Sequence, residues 1–144
     1  MATLKQLGVT TQRQFLTDTA GLQLGALEVG GTTRKTTKLT LTLPTASAVK
    51  AEFSAEGVAK KITKFFRHEL QTGDAIFDGA VYITTDTQEA TACFLMSPDV
   101  RVLVAALVAI GPVQINANTV TAVTLYHSYD DDENVTNLVA AVLR

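Results

Sequence analysis

The sequence predicts an α+β fold, an antiparallel sheet with helices packed on one face. Three observations lead there. Stretches that alternate apolar and polar residues, 35–43 above all, ask for strands. Stretches with apolar residues three and four apart, most clearly after Ser97-Pro98 and after Asp130, ask for helices. Adjacent strand patterns are joined by turn-sized segments, too short for the helical crossovers of a parallel sheet. The expected order is β-β-β-α-β-α-α-β-β-α, in a single domain over 1–144.

Each element has its own signal. Residues 1–20 carry little pattern and read as a short helix and an irregular lead-in. Leu22–Val29 reads as a strand whose apolar parity switches at Gly25, the mark of a bulge. Gly30-Gly31-Thr32 reads as a turn. In 35–43, Leu39, Leu41 and Leu43 point one way and Lys38, Thr40 and Thr42 the other, until Pro44 ends the strand. Residues 49–54 give a third strand. Ser54 is placed to cap a helix from Ala55, with Val58, Ile62, Phe65, Phe66 and Leu70 on its apolar side.

Gly73-Asp74 turns the chain into a strand over 79–85, and 87–95 form a short helix holding Cys93. Ser97 and Pro98 start the next helix, and Gly111-Pro112 stops it. Residues 113–117 and 119–127 form a hairpin around Asn116-Ala117-Asn118. Asp130 caps a last helix with Val135, Leu138, Val139, Val142 and Leu143 as its stripe.

At 144 residues, 47% of them apolar and 18% charged, the chain can bury a core without disulfides or metal. A net charge of -2 argues against a general nucleic-acid binder. The charge is uneven: residues 1–70 hold ten basic and five acidic side chains, and 71–144 hold two and nine. Cys93 is the single cysteine, which excludes an internal disulfide and fits a reducing, cytoplasmic setting. Met1–Gly8 lacks the apolar region of a signal peptide. The longest apolar run, Val102–Val113, falls well short of a membrane span.

Phe53–Gly57, Lys60–Phe66, Thr72-Gly73-Asp74 and Phe77-Asp78 together resemble a group of uncharacterised bacterial proteins. In that group a short basic helix leads into a G-D-x-x-F-D turn, followed by a strand, an apolar helix, a hairpin and a C-terminal helix. The likeness covers residues 20–143. Its members often carry membrane segments, which this sequence lacks. The resemblance brings no activity with it.

The candidate chemistry is sparse. Asp74 and Asp78 flank Phe77 and could serve as paired carboxylates for acid–base work or a cation. The structural alternative gives Gly73 a positive φ, Asp74 a bond to the turn backbone and Phe77 a place in the core. Asp130–Glu133 lacks the alternation and central Gly of a calcium loop, and acidic residues favour a helix start. His68 and His127 have no partner at metal-binding spacing, and Cys93 reads as a small core residue. Gly30-Gly31 is not followed by the Lys-Ser/Thr of a phosphate loop. No catalytic, cofactor or metal set is expected.

Two surfaces are expected to bind. Lys60, Lys61, Lys64 and Arg67 share a helix face that is either merely solvated or suited to a small anionic ligand, a lipid headgroup or an acidic partner. Val102–Ile110 is apolar all round, so that helix is either sandwiched or part of a subunit contact. Leu103, Val104 and Leu107 are expected to face the core. Val102, Ala105, Ala106 and Ala109 are expected at the contact. The sequence thus reads as a non-catalytic module that binds a protein or itself, with small-ligand or anionic-headgroup binding through Lys60–Arg67 as the alternative.

Overall fold

The computed structural model describes residues 3–24, 27–55, 68–127 and 129–144, with 18–24, 27–33 and 68–69 described by their backbone. Along the chain run β1 (Thr10–Leu24), β2 (Leu27–Thr42), β3 (Lys50–Ala55), β4 (His68–Glu69), α1 (Ala75–Ala80) and β5 (Val81–Thr85). They are followed by α2 (Gln88–Phe94), α3 (Pro98–Val108), β6 (Val113–Asn116), β7 (Thr119–Leu125) and α4 (Glu133–Leu143). The fold is α+β. Among the described residues, one sheet of seven strands has the order β1-β2-β7-β6-β3-β5-β4, with every pairing antiparallel.

The hairpin β6–β7 enters the middle of the sheet, bonding to β3 on one side and β2 on the other. This insertion sets one row of core residues across five strands: Leu41, Val120, Ile115, Ala51 and Thr85 lie side by side with no solvent exposure. Phe53, between Val113 and Ile83, starts the next row. The period of two along each strand places these residues on one face. The helices cover that face with Val104, Leu107 and Val108 of α3 and Val135, Leu138, Val139 and Val142 of α4, all buried. The reverse face is polar: Thr40, Thr121, Gln114, Glu52 and Thr84 form its matching row.

Several local expectations are corrected. Most of the lead-in, from Thr10 on, is the long edge strand β1. The strand expected over Leu22–Val29 is divided between β1 and β2, and Gly25 lies outside the described residues. The register shifts at Gly21/Leu22, and Gly30-Gly31-Thr32 runs inside β2 instead of turning. Two glycines in a strand mimic a turn signal, and the β1 partner overrides it. Ser54 and Ala55 continue β3 opposite Tyr82 and Val81, so Ser54 is buried strand and not a cap. Of the rest of the expected basic helix, 56–67 lie outside the described residues, and its end is corrected: His68–Glu69 pair with β5 as β4, and Leu70 N donates to the Ile83 carbonyl. Helix α1 precedes β5, which starts at Val81, not 79. The last helix is capped by Asp132, two residues later than expected, whose carboxylate accepts from Val135 N at 3.0 Å.

Candidate interaction surfaces

The Gly73–Asp78 turn is held by its own side chains. Gly73 takes φ +89, the left-handed region that glycine enters without a Cβ penalty. Asp74 is the N-cap of α1 and accepts from Phe77 N. Asp78 reaches back across the turn. Its Oδ1 accepts from the Thr72 N–H and hydroxyl at 2.9 and 2.8 Å, and its Oδ2 from Gly73 N at 3.0 Å. Phe77 is buried beneath them.

Desolvation pushes the Asp78 carboxyl up. The bonds from Thr72 and Gly73, with the nearby Arg101 charge, outweigh it and hold the group below its ordinary value. Arg101 of α3 ties this turn to the α2–α3 corner. Its Nε donates to Asp74 Oδ2 at 3.1 Å and its guanidinium to the carbonyls of Leu95 and Met96. The two carboxylates therefore belong to one turn but are occupied as cap, clamp and ion pair.

The other polar candidates are likewise engaged. In the acidic run, Asp131 accepts from Leu4 N at 2.8 Å and lies 3.7 Å from Arg13, while Asp132 caps α4. His127 Nε2 contacts the Leu16 carbonyl at 3.1 Å, and its ring lies 5.0 Å from Phe15. His68 falls in β4, away from His127 in the strand order. Cys93 is exposed on α2, correcting its expected core position, because α2 turns Thr91 inward instead. Among the described residues, no three His, Cys, Asp or Glu side chains converge on a possible metal position. Lys60, Lys61, Lys64 and Arg67 lie outside the described residues.

A hydroxyl cluster escaped the sequence reading. Thr85 is fully buried and donates to the Lys50 carbonyl at 2.8 Å. It also lies 2.9 Å from the Thr91 hydroxyl, while Thr87 Oγ1 accepts from Lys50 N. Threonines 85, 87 and 91 so join β3, β5 and α2. Their spacing of two and then four residues was the available signal, hidden by the abundance of Thr elsewhere.

The apolar helix is neither fully sandwiched nor fully bare. The sheet takes Val100, Val104, Leu107 and Val108, and α4 packs alongside. Val102 remains 68% exposed, and Ala106 and Ala109 are exposed with it. Two expectations change. Leu103 is only half-buried and lines a surface groove of about 780 Å³ between α3 and α4, with Leu7, Asn137 and Ala140. Ala105 turns toward the core instead of the contact side. The turn of 100° per residue puts 104, 107 and 108 together and leaves 102, 106 and 109 opposite.

A second cleft, about 600 Å³, lies between the 45–49 loop, α2 and the end of α4, with Cys93 and Phe94 at its wall. No single described helix is long and apolar enough to cross a membrane, and α2 and α3 are bent by 100° at their junction. No protein-family model, curated protein or solved structure matches this chain.

Proposed function

We propose that this chain is a non-catalytic interaction module that assembles with itself. One observation carries the reading: α3 keeps an apolar row of Val102, Ala106 and Ala109 in solvent although α4 lies beside it. A helix with a free side ordinarily carries polar residues there. An apolar row beside a groove that Leu7, Leu103, Ala140 and Leu143 help to line is the form of a protein contact. The occupied state of Asp74, Asp78, Asp131 and Asp132 supports a structural role for the most conspicuous carboxylates. The lone exposed thiol suits a reducing compartment.

Light scattering on the purified chain tests this directly. The wild type is expected above the single-chain mass. Ala106→Glu and Ala109→Glu are expected to fold with unchanged circular dichroism and run smaller. A charge desolvated without a partner costs several kcal/mol, enough to open a modest contact. A wild type that stays at single-chain mass at high concentration defeats the reading.

A further inference from the structure

We infer that the edge strand β1 pairs antiparallel with β1 of a second copy, joining two sheets into one across a two-fold axis at Gln14. This rests on the self-assembly reading but names a different surface from α3.

Hydrogen-bond parity identifies the free edge. Tyr126 N donates to the Lys35 carbonyl and Leu43 N to the Asn118 carbonyl, both at 2.7 Å. Odd-numbered residues of β2 therefore bond toward β7, and even-numbered ones toward β1. The register pairs Thr36, Lys38, Thr40 and Thr42 with Leu16, Gln14, Gln12 and Thr10. The intervening Thr11, Arg13, Phe15 and Thr17 then aim their N–H and C=O groups away from the sheet. Among the described residues, β1 has β2 as its sole strand neighbour.

Natural sheets shield such an edge with Pro, Lys, bulges or short strands. Among the described residues the opposite edge, β4, is two residues long. By contrast β1 has 15 residues, and its Thr10–Thr17 part has no Pro, Gly or Lys. Its one charge there, Arg13, is turned toward Asp131. The edge is also where exposed aromatic surface gathers. Phe15 is 39% exposed and packs against Tyr129, itself 77% exposed, at 4.9 Å. His127 packs on the same Phe15 ring at 5.0 Å, and Tyr126, like Tyr129, leaves its ring in solvent.

The occupant follows from complementarity. An axis at Arg13 would oppose two guanidiniums. An axis at Gln14 sets amide against amide and places Arg13 beside Phe15 of the second copy, a favourable cation–π neighbour. Thr11 then opposes Thr17 of the second copy, and about eight backbone hydrogen bonds close the seam. The contact is isologous, so it closes on a dimer.

Site-directed cross-linking tests this in a Cys93→Ser background. At a non-hydrogen-bonded antiparallel pair the Cα atoms lie about 4.5 Å apart, within disulfide range. Gln14→Cys is expected to run at twice the chain mass on a non-reducing gel after mild oxidation. Thr11→Cys is expected to remain at single-chain mass, because its counterpart is roughly 20 Å away. Adding Thr17→Pro to Gln14→Cys removes an outward N–H while leaving the β1–β2 bonds intact, so the fold should persist and the cross-link vanish. Independently of any cysteine, Gln14→Lys should halve the particle mass by light scattering. A Gln14→Cys chain that does not cross-link, equal cross-linking by Thr11→Cys, or an unchanged mass for Gln14→Lys overturns the inference. These readouts report β1 alone, whereas Ala106→Glu and Ala109→Glu report α3, so the two contacts fail separately.

Discussion

Gly73 offers a clean measurement of backbone strain. It stands at φ +89, and a Cβ built there meets no atom within 4 Å. A side chain at this site therefore pays for conformation and not for collision. An L residue forced into the left-handed region loses about 1–2 kcal/mol. The stiffer unfolded chain of Gly73→Ala returns about 0.4–1 kcal/mol in principle, but only where the native backbone suits the new residue. Gly73→Ala should thus cost about 1 kcal/mol and Gly73→Val about 2 kcal/mol, since β-branched residues tolerate positive φ least. Gly73→Asn should cost only a few tenths of a kcal/mol, because Asn visits that region readily. Urea unfolding followed by far-UV circular dichroism suits a chain without Trp. The midpoint should fall in the order Gly, Asn, Ala, Val, with the denaturant slope unchanged. Val as stable as the wild type would refute the strain argument. Asn as costly as Val would show that bulk, not φ, sets the penalty.

Two further perturbations act on buried or clamped polar groups. Thr85→Val keeps the shape of a fully buried side chain but removes the acceptor of the Thr87 N–H and leaves the Lys50 carbonyl and the Thr91 hydroxyl only their longer contacts, and should cost about 1–3 kcal/mol in the same assay. The pH dependence should have two opposed contributions. Asp78 titrates below its ordinary 3.8 in the fold, so its stabilisation is present above that value and lost as pH falls through the folded one. Asp78→Asn should flatten this acid limb of a melting-temperature profile and, by losing the Oδ2 acceptor for Gly73, lower the plateau. Burial raises Glu52 above its ordinary 4.5, so its contribution is greatest below 4.5 and is lost as pH rises through the folded value. Glu52→Gln should therefore raise the melting temperature at neutral pH and leave it unchanged at pH 3.

The candidate surfaces were legible in the sequence only where they depend on near neighbours. The Gly73–Asp78 turn is a local device, and its glycine, cap and clamp lie within six residues of Thr72. Arg101, which ties that turn to α3, lies 27 residues from Asp74, and no periodicity announces it. The all-apolar helix was visible as a run, but which side of it stays exposed depended on where α4 packed. That is why Leu103 lines a groove and Ala105 turns inward.

What the sequence by itself determined was the set of elements with strong periodicity: the Leu39–Leu41–Leu43 strand, the Pro98 start of α3, the 113–127 hairpin and the α4 stripe. Their apolar spacing matches one backbone period and no other, so local chemistry is enough. The α+β class followed from their order. What only the tertiary structure decided was how the sheet closes. Residues 10–33 hold few apolar side chains in register, and their strands exist because each supplies the other's backbone bonds over 15 and 16 residues. That pairing runs from Leu24–Leu27 out to Thr10–Thr42, and most of it joins residues too far apart for composition to encode. The same holds for the insertion of β6–β7 between β2 and β3, which buries one face of the sheet and leaves β1 at its open edge.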